Sequence, residues 1–334
     1  MIKLGIVGLG RIGKIHLSNL LNFFPQVTVQ SVCSGGGDSL SYAKELGVSN
    51  LFTDYKAMLS HGKLDAVIIA SPTSLHKEHI LSTLELGLPI FCEKPIDLEI
   101  ETVRKLVKKI EEKNVPFTMG FNRRFDPNNQ KIKRYITDHI IGNIQTLHIT
   151  SRDPGAPPLD YIKTSGGLFL DMAIHDFDLA RFFVQSEVTH VFSQGTVFGN
   201  AKIQELNDID TATTLLQFEN GCFTTIENSR NSTYGYDQRL EAFGSSGRCG
   251  YDNIREDSTY LANSEGYHQE KPLHFFIERY QSSYLNIMKA FIKLLETGKQ
   301  SMVNSNDGLQ SLAIGLAAMK SIKENRLVAL TEIL

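Results

Sequence analysis

Leu4-Gly5-Ile6-Val7-Gly8-Leu9-Gly10-Arg11-Ile12-Gly13 sets a short apolar strand directly against a G-x-G-x-x-G turn, and a helical pattern follows from Lys14 to Phe23. Glycines at these spacings permit a tight turn and a close backbone approach. The N-terminus of the following helix can then receive a pyrophosphate through its free N–H groups and its dipole. A glycine turn can also be merely a turn. Its position after the first strand of an α/β pattern favours dinucleotide binding.

Outward from this motif the chain alternates. Thr28 to Cys33, Ala66 to Ala70 and Pro89 to Cys92 read as further strands, separated by helical patterns at Ser39 to Leu46, Leu75 to Leu86 and Ile100 to Lys113. That alternation is the signature of βαβ units, so a doubly wound parallel sheet is expected over residues 1–121. From about Asn143 the character changes to β-rich runs at Ile144 to Ser151, Val188 to Phe198, Thr211 to Phe218, Cys222 to Ser229 and Arg239 to Phe243. Turns such as Glu219-Asn220-Gly221 join neighbours as hairpins, which predicts an α+β domain over residues 122–334 with a large, mostly antiparallel sheet. Two more helices are expected at Tyr284 to Leu295 and Asp307 to Glu324. The fold class is α/β, with two domains, as a length of 334 residues would suggest.

Composition narrows the chemistry. With 34 basic against 37 acidic residues and no long block of either sign, nothing advertises nucleic acid or an anionic membrane as partner. Cys33, Cys92, Cys222 and Cys249 contain no C-x-x-C pair, which fits neither a disulfide framework nor a thiolate zinc site, and a reducing cytoplasm is the default. The start of the chain lacks the layout of a signal peptide, and no apolar run is long enough to span a bilayer.

The strand ends supply candidate cofactor contacts. The second strand should close on an acid that grips the adenosine ribose, yet Ser34 stands there, followed by Gly35-Gly36-Gly37. A hydroxyl repels a 2′-phosphate less than a carboxylate does, so NADP stays open; NAD is favoured because no arginine follows the strand. Ser71-Pro72-Thr73-Ser74-Leu75-His76 follows the third main strand at the carboxyl edge. Thr73 or Ser74 can cap the next helix, touch the cofactor, or do both. Glu93-Lys94-Pro95 ends the next strand at that same edge. Most lysines are solvated, but beside an oxidised nicotinamide an ammonium loses its proton more readily, which makes Lys94 a proton carrier or a donor to a hydroxyl.

Further on, Ser165-Gly166-Gly167 leads into Leu168 to Arg181, read as one helix capped by Ser165, with Leu168, Met172, Leu179 and Phe182 as its buried stripe. Asp171, His175 and Asp178 fall together on another face. A structural hydrogen-bonded set, a metal site and a proton-transfer pair all fit this spacing; no further His–acid cluster completes a metal set, so none is expected.

The glycine motif, Phe91-Cys92-Glu93-Lys94-Pro95, Gly120-Phe121-Asn122-Arg123-Arg124-Phe125-Asp126, the Gly166 to Arg181 helix and Tyr234-Gly235-Tyr236-Asp237 together resemble the glucose-fructose oxidoreductase and inositol dehydrogenase family (Gfo/Idh/MocA), most closely its inositol 2-dehydrogenase branch. The resemblance spans essentially the whole chain. It implies that Lys94, Asp171 and His175 are catalytic, and that Arg123, Asp153 and Tyr236 join them in contacting substrate. Asp153 stands where such relatives often carry asparagine. The cofactor set expected with it is Gly8, Gly10, Arg11, Ile12, Gly13, Ser34, Ser71, Pro72, Thr73, His76, Glu93, Lys94 and Arg123. The implied activity is NAD-dependent oxidation of a secondary alcohol on a cyclic polyol, myo-inositol or a stereoisomer, to the keto-inositol. A homo-oligomer, dimer or tetramer, is implied as well. The rival readings are a dehydrogenase of the same fold acting on an aldose, a dihydrodiol or an amino-sugar derivative, and a non-catalytic dinucleotide and sugar sensor.

Overall fold

In a computed structural model, residues 1–299 and 301–334 are described, and they fall into two compact units. The first unit holds Met1–Phe125 together with Ser282–Gln310, and the second holds Asp126–Gln281 together with Ser311–Leu334. Each unit is therefore discontinuous in sequence, unlike the single cut near Phe121 that the sequence suggests. The reason is visible in the packing of the first unit, described next.

The first unit runs β1 (Ile2–Val7), α1 (Arg11–Phe23), β2 (Val27–Cys33), α2 (Asp38–Glu45), β3 (Leu51–Phe52), α3 (Tyr55–Ser60), β4 (Ala66–Ile69), α4 (Thr73–Glu85), β5 (Ile90–Cys92), α5 (Ile100–Lys113) and β6 (Phe117–Met119), then a 3-10 turn at Asn122–Phe125. All its strand pairs are parallel, in the order β3-β2-β1-β4-β5-β6. Such a sheet is covered on both faces, which is why β4 reads as the unbroken run Ala66-Val67-Ile68-Ile69, fully buried along its length. Part of that cover comes from far along the chain: Phe291 packs edge-on against Phe91 with ring centroids 5.7 Å apart. Tyr284 likewise meets His16 at 5.9 Å. Residues 282–310 thus belong to this core.

The second unit contains α6 (Pro127–Thr137), β7 (Ile144–Arg152), α7 (Leu159–Ser165), a π-helical stretch at Leu168–Ala173, α8 (Ile174–Val184), β8 (Val188–Thr196), α9 (Lys202–Glu205), β9 (Thr211–Phe218), β10 (Phe223–Ser229), β11 (Asp237–Gly244), β12 (Gly247–Tyr251), β13 (Tyr260–Asn263), β14 (Gly266–Gln269) and α10 (Phe276–Arg279). After α11 (Gln281–Thr297), α12 (Ser305–Glu324) and β15 (Val328–Ala329) close the chain. The sheet is mixed and mostly antiparallel, ordered β12-β11-β7-β10-β9-β8-β15, and β7 and β10 form its parallel pair. The β9–β10 hairpin turns at Gly221, whose φ of 84° lies in the left-handed region that glycine favours. Asp126 caps α6 by accepting from the Asn128 and Asn129 amides, and it is itself gripped by Arg279 at 2.6 Å. No helix among the described residues is long and apolar enough to cross a membrane.

Candidate active site

In the first unit β1 and β4 lie side by side, so the loops that follow them leave the same sheet edge at the point where strand order reverses. Open α/β sheets bind ligands at that crevice. Gly8 has φ +92°, and a Cβ on it would lie 2.3 Å from the Ser71 amide nitrogen; a Cβ on Gly13 would lie 2.0 Å from the Gly8 carbonyl oxygen. These two glycines are demanded by the turn itself. Gly10 differs, since a Cβ there meets nothing within 4 Å. It caps α1 without a side-chain hydrogen bond, and the first turn of that helix carries no acid. A helix start with no side-chain cap, no acid in its first turn and open space at Gly10 fits the pyrophosphate of a dinucleotide. Arg11 is exposed and Ile12 half-buried at that start.

Ser34 follows β2, its amide donating to the Phe52 carbonyl at 3.0 Å, and Gly36 and Gly37 adopt φ values of 96° and 62°. After β4, the Ser71 hydroxyl bonds His79 Nδ1 at 2.9 Å. His76, 1 % exposed, sets one ring nitrogen 2.8 Å from the Ser71 carbonyl and the other 2.8 Å from the Pro95 carbonyl. It therefore lies between the loop after β4 and the loop that carries Lys94, and as a neutral ring it donates to one of the two carbonyls. Burial holds the His76 imidazole below its usual pKa, and pushes that of His79 down to about 4. The expected capping by Thr73 or Ser74 is not seen: α4 begins at Thr73, Pro72 holds the cap position, and no side chain bonds there.

Glu93 Oε1 lies 2.7 Å from His16 Nε2, and Gly120 leaves room for the same carboxylate, since a Cβ there would lie 2.7 Å from Oε2. Lys94, next along and half-buried, is joined to Pro95 by a cis peptide bond. Arg123 sits in the 3-10 turn and is 4 % exposed. Its neighbour Arg124 is anchored by Asp307 and the Met302 carbonyl, both at 2.9 Å.

In the second unit the stretch read as one capped helix is built differently. Ser165 ends α7 and donates to the Ile162 carbonyl at 3.4 Å; Gly166 and Gly167 then turn the chain at φ 86° and 74°. The amide of Leu168 is taken by the Asp208 carboxylate at 3.0 Å, so the cap comes from a distant loop. Glycine is required at 167 because a Cβ would lie 2.4 Å from Asp208 Oδ1.

From Leu168 to Val184 every side chain is buried except Asp171, His175 and Phe182. Phe182, expected in the buried stripe, is only half-buried, whereas Asp178 is fully buried and so leaves the half-exposed pair. Asp176, buried too, accepts from Asn228 at 2.8 Å. Asp171 accepts from the Tyr161 hydroxyl at 3.0 Å and lies 3.3 Å from a guanidinium nitrogen of Arg230. Nearby along β10's end, the Asp153 amide donates to the Ser229 carbonyl at 2.8 Å. Tyr236 is 3 % exposed, its ring edge-on to Tyr280 at 6.0 Å. The spacing of residues does not point to Arg230, Asp208 or Tyr161. No periodicity marks them; the fold brings Tyr161 and Arg230 to Asp171, and Asp208 to Arg230. Among the described residues no group of three or more His, Cys, Asp or Glu is arranged to hold a metal.

Sheet order, glycine turn and the uncapped helix start define a dinucleotide-binding unit, and comparison with known proteins places it among oxidoreductases. Residues 2–121 match the oxidoreductase family with an NAD-binding Rossmann fold, and residues 129–249 match the GFO/IDH/MocA C-terminal domain. The chain belongs to the Gfo/Idh/MocA family of NAD-binding oxidoreductases. It is 41 % identical to the myo-inositol 2-dehydrogenase of Thermotoga maritima, over 99 % of each chain. Among solved structures, a myo-inositol dehydrogenase from Corynebacterium glutamicum superposes with a TM-score of 0.94 at 37 % identity, covering 99 % of both chains. A scyllo-inositol dehydrogenase from Lactobacillus casei, with bound NAD(H) and scyllo-inositol, gives a TM-score of 0.93 at 32 % identity over 99 % of each chain.

Proposed function

We propose that this protein oxidises one secondary hydroxyl of a cyclic polyol, myo-inositol or a stereoisomer, to the ketone with NAD. The observation that carries the chemistry is that Asp171 and His175 are the two polar side chains left half-exposed between Leu168 and Val184, where every other residue except Phe182 is buried. Burial elsewhere along it shows that the sequence can cover that helix; leaving an acid and an imidazole half-exposed serves a ligand. The polyol is carried by whole-chain similarity to inositol dehydrogenases.

His175 accepts the hydroxyl proton, Asp171 stabilises the imidazolium that results, and Lys94 donates a hydrogen bond to the same oxygen. Bound NAD supplies the acceptor for the hydride that leaves the same carbon. Gly8, Gly10, Arg11, Ile12 and Gly13 hold its pyrophosphate. Ser34, Ser71, Pro72, Thr73, His76, Glu93 and Arg123 line or brace the rest of the cofactor edge. Asp153 takes ring hydroxyls; Arg123 and Tyr236, nearly buried, offer a ligand only a small face each. The chain works in a reducing cytoplasm, consistent with free thiols at all four cysteines. It assembles as a homo-oligomer through the second sheet, where Phe223 and Phe243 share a face and stand 47 % and 46 % exposed.

The test is NAD reduction against a panel of inositol stereoisomers, aldoses, dihydrodiols and amino sugars. His175→Ala should lower kcat by about two to four powers of ten with unchanged circular dichroism. Full turnover by that variant, or silence of the wild type towards every inositol, refutes the reading.

A further inference from the structure

Asp171 is held from two sides. Tyr161 of α7 donates to Oδ1 at 3.0 Å, and Arg230, in the segment after β10, approaches Oδ2 at 3.3 Å. Arg230 is 1 % exposed, and its other terminal nitrogen lies 3.3 Å from Asp208 Oδ2. Asp208 is committed further, since its Oδ1 takes the Leu168 amide at the head of the stretch that carries Asp171. The charged and titratable groups around the Asp171 carboxylate include Arg230 with Asp208 behind it and Tyr161 from α7, and His175 follows four residues along the same stretch.

Two carboxylates share one guanidinium, so the trio keeps one net negative charge. Both carboxylates are half-buried, with side-chain exposures of 17 % for Asp171 and 13 % for Asp208, but Asp208 is also committed to the Leu168 amide. An arginine paired with Asp171 alone would cancel the charge that an imidazolium needs beside it. Sharing the arginine orients Asp171 without silencing it.

We propose that Arg230 is a positioning residue for the reaction, fixing the Asp171 carboxylate while Asp208 draws off part of its positive charge. This rests on the reading of Asp171 and His175 as the proton-handling pair. Arg230 touches no reacting atom; it acts through Asp171.

The experiment compares Arg230→Gln, Arg230→Lys and Asp208→Asn in the full-length protein with NAD and the best inositol from the panel. Arg230→Gln should lower kcat roughly ten- to hundredfold, with the KM for NAD little changed. Removing a cation makes the neighbouring pair hold its proton more tightly, so the acid limb of the kcat/KM profile should move up by about one pH unit. Asp208→Asn keeps an oxygen for the Leu168 amide but removes an anion, so the limb should move down. Arg230→Lys should restore the limb and part of kcat, because it keeps the charge and loses the two-pronged geometry.

Limbs that stay fixed, or move in the same direction in Arg230→Gln and Asp208→Asn, overturn the proposal even if both variants melt earlier. Should Arg230→Gln not fold, Asp208→Asn and Arg230→Lys carry the same test. Failure of the catalytic reading itself shows separately, as turnover surviving in His175→Ala.

Discussion

His16 Nε2 lies 2.7 Å from Glu93 Oε1, and this bond joins the helix that follows the glycine motif to the residue that precedes Lys94. The imidazole is fully buried between the rings of Phe91 and Tyr284, so it has no water to replace a lost partner. Glu93→Ala should destabilise the first unit by about 1–3 kcal/mol and raise the KM for NAD, since a buried nitrogen is left unsatisfied. Glu93→Gln, which still offers an oxygen, should recover most of both. Thermal melts and initial-rate kinetics of the two variants check this; equal losses in both would refute it.

The glycines of the motif should separate by role. Gly8→Ala forces a Cβ into the Ser71 backbone at a left-handed φ and should lower the melting temperature of the protein without ligand. Gly10→Ala meets nothing in the protein, so its melting temperature should hold while NAD affinity falls. Calorimetric titration with NAD, alongside a melt, reads both effects. Gly10→Ala with native affinity would remove Gly10 from the cofactor site.

Acid should weaken the first unit through its buried histidines. His79 is held down to about 4 from an ordinary 6.5, chiefly by burial and then by the neighbouring His76, so the unfolded chain takes up the proton first as pH falls. The stability contributed by a neutral His79 is present above about pH 6.5 and is lost progressively towards pH 4, a difference of about 1–3 kcal/mol. Urea melts of wild type and His79→Gln across that window should converge at low pH. Parallel curves would show that His79 does not carry the effect.

Arg279 and Asp126 form a buried ion pair in the second unit, with side-chain exposures of 3 % and 2 %. Arg279→Ala leaves the carboxylate buried with the Asn128 and Asn129 amides but no counter-charge, and should cost about 3–5 kcal/mol in urea denaturation. A loss under about 1 kcal/mol would mean that the pair is replaceable.

Strand and helix positions were legible because burial imposes periodicity. Thr211–Phe218 and Ile100–Lys113 are found where a β-rich run closed by a turn and a helical spacing put them. The glycine motif was legible because its turn forbids side chains at Gly8 and Gly13. The start of the Asp171 stretch was not. A serine before two glycines looks like a cap, yet Asp208, 40 residues away, takes the Leu168 amide instead. Long-range polar contacts leave no periodic trace, so Arg230 and Tyr161 stayed invisible beside Asp171. The short strands β3 and β15 escaped for a related reason, since two residues hold too little pattern to read.

The return of residues 282–310 to the first unit has a consequence for how the protein is made. During synthesis the Rossmann sheet emerges first, but Phe291 and Tyr284, which cover Phe91 and His16, leave the ribosome only after most of the second unit has done so. Until then the part of the nascent sheet around Phe91 lacks its cover, and its last contacts close over a long stretch of intervening chain. A fragment ending at Phe125 should therefore aggregate, whereas the whole chain folds.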